Sequence, residues 1–388
     1  MSARPLEGIR ILEVGAYISA PYATSLLSAL GAEVVKVEPP VSGDPFRRGM
    51  GAKSAYFVQY NAGKKSIAVN LKDPAGVRLI KALLPRFDAM LENYRPGKLA
   101  ALGLGADECK AINPNLIYAS VSGFGSGGPL RDRPAYDTIG QSISGFYSIM
   151  NDRDAPRLTG TCIADMITGL TCATGLVAAL LGRERDPERK GMSMETSLYE
   201  AMSTLTIDAL TQLSETGQTP VRDSRHPQAQ NFCLKTADGG AIAIHLSSSQ
   251  KFWENLARAI GREELIADPL FSTFFSRAEN YPALVAIMEQ AFRGLSQAEL
   301  ETRLTEADVP FAPVLTAAEV ARHPQTEWLQ LLGRSNEDMM LVRPPWRFDG
   351  ERPSRDAPTP QIGEHGREIA AEVLTPEELD RLFGDVRA

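Results

Sequence analysis

The stretch TGTCIADMITGL, residues 159–170, sets a single carboxylate, Asp165, in a run of small and apolar side chains that continues through TCATGLVAALL. A charge leaving water is costly unless a partner or hydrogen bonds compensate it, so an acid here is a helix cap, a surface residue or a reactive group. As a cap or first-turn acid it would meet the free N–H groups and the positive end of the helix that follows. As a reactive group it gains from dryness, because a carboxylate with little water around it is a better nucleophile than one in bulk solvent. The two readings are compatible, since amide hydrogen bonds at a helix start can keep such an acid ionised in apolar surroundings.

Few other residues offer chemistry. Cys109, Cys162, Cys172 and Cys233 are scattered with no CxxC pair, and the four histidines show no HExxH or other metal spacing, so no metal site is expected. Without a serine or cysteine motif beside them, the histidines read as structural. The glycine-dense SGFGSGGP (122–129) lacks the GK[ST] ending of a phosphate loop and reads as a plain loop. NAGKKSIAVNLK (61–72) and ENYRPGKLAALG (92–103) each set basic residues beside a glycine turn, a pattern that suits phosphates or a solvated surface.

The elements that must position these residues alternate in type. IRILEVG (9–15) has the β-branched, apolar character of a buried strand, PYATSLLSALG (21–31) reads as a helix, and AEVVKVEP (32–39) as a second strand. This βαβ unit invites a dinucleotide reading with Glu38 on the ribose, but VGAYISAPYATS has one glycine where GxGxxG needs three. Further on, PAGVRLIKALLPRF is helical, DAMLENY and LIYASVSGFG are strands, and 166–183 is a long helix, which together predict a mostly parallel sheet covered on both faces. A polar, Pro-containing linker is expected over 218–231, between a large domain (1–217 and 326–388) and a small α+β domain (232–325). The small domain opens with a hairpin around Asp238 and Gly239, followed by helical SQKFWENLARAIG and PALVAIMEQAFRGL. The chain closes on a helix in TPEELDRLFGDV, with Thr375 and Glu378 spaced for a capping box.

Composition bounds the partners. With 388 residues, 43% hydrophobic, 23% charged and a net charge of -7, the chain reads as an ordinary globular protein, and neither nucleic acid nor an anionic membrane is an expected partner. The most apolar window, 162–182, carries Asp165 and many Gly and Thr, so it reads as a buried helix and no membrane span. The N-terminus has no apolar export segment, and reduced thiols in a cytoplasm are expected.

Taken in order, PLEGIRILEVG, APYATSLLSALGAEVVKVEPPVSGDPFR, NAGKKSIAVNLK, ENYRPGKLAALG, NPNLIYASVSGFGSGGPLRDRPAYDTIGQSISG and GTCIADMITG resemble the class III CoA-transferases of the CaiB/BaiF type. That family includes formyl-CoA transferase and, as a relative, α-methylacyl-CoA racemase. The resemblance spans nearly the whole chain, and it implies a Rossmann-like large domain, a smaller α+β domain and an interlocked, ring-like homodimer. It implies that Asp165 attacks an acyl-CoA thioester and passes CoA to a small organic acid through a mixed anhydride and an aspartyl-CoA thioester. No permanently bound cofactor is implied; coenzyme A enters as part of the substrate.

The same resemblance assigns CoA contacts to Tyr17, Ile18 and Ser19 after the first strand, to Val69 and Lys72, to Asn93, Tyr94, Arg95, Lys98 and Leu102, and to Tyr136 with Asp137. Lys72, Arg95 and Lys98 are the implied phosphate partners. Arg47, Arg48 and Arg157 are candidates for the distal carboxylate of a dicarboxylic substrate, against the plainer reading of surface arginines. In two places the chain departs from relatives: Pro39 and Pro40 follow Glu38 where some carry arginine, and SRHPQAQN (224–231) has no glycine where formyl-CoA transferase has a glycine-run flap. The racemase pairs an aspartate with a histidine where this chain has Tyr136, and a phenol with an ordinary pKa of about 10 is a poor base at neutral pH. Transfer is favoured over racemisation or CoA binding without turnover.

Overall fold

The computed structural model describes residues 4–335 and 338–383. Six strands form a fully parallel sheet: β1 (Arg10–Val14), β2 (Glu33–Glu38), β3 (Lys65–Ala68), β4 (Ala89–Glu92), β5 (Ile117–Ser122) and β6 (Ser193–Ser197). Their order is β3-β2-β1-β4-β5-β6. The chain thus winds outward from β1 in one direction and from β4 in the other, which leaves a crevice where the two meet, at the carboxyl ends of the strands. This is the Rossmann-like α/β arrangement expected.

Alternation along the strands explains how both faces are covered. Leu12, Val14, Val35, Val37 and Met90 point to one face and share a core with Leu79, Ile80 and Leu83. Those last three lie on a helix whose N-terminus is capped by Asp73. Ile11, Val34, Ala89, Leu91, Ile117 and Ala119 point to the other face and meet α1 (Ser19–Ala29) and the long helix Ile163–Arg185. The long helix buries Ala164, Thr168, Cys172, Leu176, Ala179 and Arg183, a stripe repeating every three or four residues. It is apolar and long enough to cross a membrane by composition, and this stripe lies against the sheet and α1. Gly169 lets the two helices approach, since a Cβ there would come within 2.8 Å of both the Ser19 carbonyl oxygen and the Tyr22 ring.

The second compact unit carries an antiparallel sheet of β7 (Asn231–Lys235), β8 (Ala241–His245) and β9 (Phe311–Pro313). The hairpin turns at Asp238 and Gly239 as expected, with Gly239 at φ +86. Trp253, Leu256, Leu284, Met288 and Phe292 pack on the sheet from helices Gln250–Ala259 and Tyr281–Arg293.

The domain boundaries move from those expected. Met1–Tyr147, Arg157–Asp208 and Pro324–Ala388 form one unit, and Ser148–Pro156 with Ala209–His323 form the other. The helix Ile207–Thr216 buries none of its residues, so no core contact ties it to the large sheet. Residues 218–231 are more structured than a linker, with a helical turn at His226–Ala229 and the start of β7 at Asn231. Residues 148–156 join this unit, where Asp152 pairs with Arg222 at 3.4 Å. The closing helix runs Pro376–Phe383 with its capping box formed: Glu378 Oε2 accepts from Thr375 N at 2.8 Å, and Thr375 Oγ1 from Glu378 N at 3.4 Å. Its expected last turn, residues 384–386, lies outside the described residues.

Candidate active site

A cavity of about 420 Å³ opens at the crevice between β1 and β4. The loop after β1 forms one wall. Tyr17 holds the left-handed conformation (φ +66) unusual for a residue with a side chain, and neighbouring side chains fix it there. Asn93 Oδ1 accepts from Ala16 N at 3.0 Å, and Asn93 Nδ2 donates to Ala16 O at 2.8 Å and to Ser19 Oγ at 3.3 Å. Asp44 Oδ1 accepts from Tyr17 N at 3.4 Å. No side chain caps α1 at Ile18, and Ser19 in its first turn lines the cavity, so the positive end of the helix dipole faces it.

A buried ionic cluster supports this loop from below. Glu13 accepts from Lys36 at 2.6 Å, Lys64 at 2.7 Å and Thr24 at 2.5 Å, and Lys36 also reaches Gly15 O at 2.8 Å and Asp44 at 2.9 Å. Burial opposes ionisation of Glu13, but the two ammonium groups outweigh it and hold the carboxyl down to about 2. The lysines of NAGKKS are therefore committed internally, Lys64 to Glu13 and Lys65 to Glu33 and Glu368. Neither is left over for a phosphate. The same holds for Glu38 and Arg47: both are buried, Glu38 binds the Arg47 guanidinium through both oxygens (2.7 and 2.6 Å) and also accepts from Ser66, and Arg47 lies over the Phe57 ring. Glu38 is no ribose acid, and Arg47 cannot hold a substrate carboxylate.

Asp165 enters the cavity from the first turn of the Ile163–Arg185 helix. The expectation that helix amides bond to it is corrected by Asp137. Asp137 Oδ1 accepts from Ala164 N at 2.8 Å and from Asp165 N at 3.2 Å, taking the N-terminal donors from a different helix, Asp137–Ile143. Gln141 steadies Asp137, with its Nε2 donating to Asp137 Oδ2 at 2.5 Å, and Thr159 in turn donates to Gln141 Oε1. The Asp165 carboxylate is left half-buried with no hydrogen bond from a described side chain or amide. Burial, with the Asp137 carboxylate adding to it, pushes Asp165 up to about 7. Tyr60 stands on the sulfur side of this helix start, its hydroxyl 3.9 Å from Cys162 Sγ and 3.7 Å from Met166 Sδ.

Of the residues singled out from sequence, Tyr17, Ser19, Asn93, Tyr94, Arg95, Tyr136 and Asp165 line this one cavity. Tyr136 is 64% exposed, its ring edge-on to Tyr17 at 5.8 Å. Ile18 and Val69 are buried in the framework, and Val69 N bonds to Glu38 O. Asp137 stands behind Asp165 as its helix anchor. Lys72, Lys98 and Leu102 are exposed and are not among the cavity's lining residues. Arg48 is exposed and lies over the Tyr56 ring at 4.0 Å; Arg157 is exposed. Sequence reasoning missed Asp44, Arg131 and Arg133, which also line the cavity. The signal available for the arginines was their pairing in PLRDRPAYD, immediately before Tyr136.

At the end of β4, Glu92 is buried and accepts from Tyr94 N at 2.6 Å; burial pushes its carboxyl up to about 7. Among the described residues no group of three or more His, Cys, Asp or Glu is arranged to hold a metal. A larger cavity, about 1110 Å³, lies wholly within the second unit between β7–β9 and the Tyr281–Arg293 helix, and is lined by His226, His245 and Tyr281. It is mainly apolar and holds no counterpart of the Asp137–Asp165 arrangement.

The chain is 34% identical over 379 residues to acetyl-CoA:oxalate CoA-transferase of Acetobacter aceti, covering 96% of this chain and 97% of that one. It is 33% identical over 392 residues to succinyl-CoA:glutarate CoA-transferase of Mus musculus, covering 97% and 88%. Among solved structures, a CaiB/BaiF family protein from Brucella suis superposes with a TM-score of 0.84 at 30% identity, covering 96% of this chain and 100% of that one. The model of CoA-transferase family III matches residues 6–366, a span that contains the crevice, the Asn93-braced loop and the Asp137–Asp165 pair. With one unbroken match over both units and relatives alike along their full lengths, the chain belongs to CoA-transferase family III.

Proposed function

We propose that this protein moves CoA from an acyl-CoA thioester to a free carboxylic acid, with Asp165 as the nucleophile and a dicarboxylic acid as donor product, acceptor or both. The single observation that carries the reading is the state of Asp165: a half-buried carboxylate, without a hydrogen bond to its side chain among the described residues, on the wall of the crevice cavity. An acid whose lone pairs are not engaged and whose ordinary solvation is reduced is suited to attack a carbonyl carbon.

In the first step an Asp165 oxygen attacks the thioester carbonyl, the C–S bond breaks, and CoA leaves as the thiolate from a mixed anhydride. The thiolate attacks the aspartyl carbonyl of that anhydride, giving an aspartyl-CoA thioester and the freed donor carboxylate. The acceptor carboxylate attacks the aspartyl thioester, releasing thiolate and forming a second anhydride. Thiolate attack on the acceptor carbonyl then gives the new thioester and restores Asp165. No proton is consumed overall, and each step exchanges one activated acyl group for another. The positive end of α1 and the amides of the Ala16–Ser19 loop supply a favourable potential for the oxyanion of each tetrahedral intermediate. Tyr94 and Arg95 offer an aromatic face and a cation for the nucleotide end of CoA.

The dicarboxylic preference is supported by relatives named for oxalate, glutarate and D-citramalate. An interlocked homodimer is part of the same proposal. The test is to incubate the protein with acetyl-CoA or succinyl-CoA and a panel of mono- and dicarboxylic acids, and to follow the acyl-CoA species by chromatography. New thioesters formed by the wild type and absent with Asp165→Asn support the reading; no movement of CoA across the panel overturns it.

A further inference from the structure

Three exposed arginines, Arg95, Arg131 and Arg133, line the same cavity as Asp165, and none has a side-chain hydrogen bond or ion pair with a described residue. This sets them apart from Arg10, Arg47 and Arg183, each bound to a carboxylate of its own framework. The other acids on the cavity wall are already engaged, Glu38 by Arg47 and Asp44 by Lys36. Asp132, between the two later arginines in sequence, is not among the cavity's lining residues. Among the described lining residues, Asp165 is thus the one carboxylate not already engaged by a framework cation, and three arginines outnumber it.

The backbone that carries Arg131 and Arg133 is shaped independently of any ligand. Arg131 N donates to Gly128 O at 3.3 Å and Arg133 N to Leu130 O at 3.0 Å, which folds the segment into turns. Ala135 then packs against the end of β5 at Gly123, where an added Cβ would come within 2.4 Å of the Ala135 Cβ. Two residues later Asp137 bonds to the backbone amide of Asp165. The arginine segment is thus tied to the helix start that presents the nucleophile, and the four residue steps from Arg133 to Asp137 span at most about 14 Å of chain. Arg95, in contrast, follows β4 on the segment whose Asn93 braces the loop after β1.

We propose that Arg131 and Arg133 form the subsite for the second carboxylate of a dicarboxylic substrate whose first carboxylate reacts at Asp165. The inference rests on the transferase reading above and deepens it. Planar guanidinium forks match a carboxylate in two-point geometry, and a site built to bind a charged group discriminates against an analogue that lacks it. The arginines carry the selection between di- and monocarboxylic acids, and Arg95 is left to CoA.

The test compares wild type, Arg131→Ala, Arg133→Ala and Arg133→Lys with acetyl-CoA as donor, whose acyl group has no second carboxylate, and either glutarate or butyrate as acceptor. Binding of free CoA is measured by calorimetry alongside. The subsite predicts that each alanine variant loses about 10- to 100-fold in kcat/KM for glutarate, through KM. Butyrate transfer and CoA affinity should stay within about twofold, and Arg133→Lys should recover part of the glutarate activity. Retained CoA affinity also certifies that a variant is folded. A fall in CoA affinity in Arg133→Lys matching the fall in transfer would make the residue a phosphate contact and overturn the subsite, as would equal losses for glutarate and butyrate, or no loss. A wild type that uses glutarate no better than butyrate overturns the subsite and leaves the transferase standing; a wild type that moves CoA to neither, nor to any acid in the wider panel, overturns the transferase reading itself.

Discussion

Replacing Asp165 by Asn should stabilise the folded protein at pH 8 and change little near pH 4. The ordinary carboxyl value of 3.8 is raised to about 7 in the fold, first by burial and then by Asp137. Between those values the folded chain binds more protons at this site than the unfolded chain, so stability falls as pH rises through the window, and the full cost is present above about 7. At 1.36 kcal/mol per pKa unit the ceiling is about 4 kcal/mol. Asp165 is only half-buried, and water in the cavity reduces the cost to roughly 1–3 kcal/mol. Asn is neutral throughout, so the gain of the variant should grow across the same window. Urea unfolding of CoA-free protein by circular dichroism at pH 5, 6, 7 and 8 measures it. Glu92, also raised to about 7, is present in both proteins and cancels. A gain of the same size at every pH, or none at pH 8, would refute the claim that Asp165 is desolvated in the free protein. The stabilised variant should be inactive, the trade-off typical of a site held in an unfavourable state for its chemistry.

Three further outcomes follow from the geometry. Asp137→Asn keeps an oxygen for the helix amides but removes the neighbouring charge, so the acid limb of the kcat/KM profile, expected near pH 7 in wild type from the raised Asp165 carboxyl, should move to lower pH; an unmoved limb would assign it to another group. Glu13→Ala leaves Lys36 and Lys64 buried without their shared carboxylate and should cost about 3–5 kcal/mol in denaturant unfolding at pH 7, a loss that shrinks as pH falls toward 2, where Glu13 itself protonates; a loss below 1 kcal/mol would mean the cluster is solvated. Asn93→Ala removes the brace on Ala16 and Ser19 and should raise KM for the acyl-CoA about tenfold with little change in melting temperature, whereas a KM unchanged within twofold would show that the loop holds its shape alone.

Strands β1, β2, β4 and β5 were legible as short apolar runs bounded by turn residues, and the closing helix by the spacing of Thr375 and Glu378. Strands β3 and β6 were not, because their sequences KSIA and SMETS are short and too polar to stand out as apolar runs. The importance of Asp165 was legible from an acid in an apolar run, and its family role from the ordered motifs. The electrostatic details were not. Glu38 reads as a free acid at a strand end, and its partner Arg47 comes nine residues later through an irregular loop that no periodicity describes. Asp137 and the amide of Asp165 are separated by 28 residues, and only the packing of two helix starts brings them together. That contact changes the chemistry expected of Asp165, since the helix amides that were to keep it ionised are occupied by another carboxylate. The boundary near residue 208 was hidden because the helix Ile207–Thr216 continues smoothly in sequence while losing its core contacts.

The central claim is that the acyl and CoA groups pass through Asp165. Protein incubated with an acyl-CoA donor and quenched with hydroxylamine should carry a hydroxamate on the peptide containing Asp165, found by mass spectrometry, dependent on the donor and lost when the acceptor acid is added in excess before the quench. Transfer that proceeds while this peptide stays unmodified, or that survives in Asp165→Asn, would contradict it.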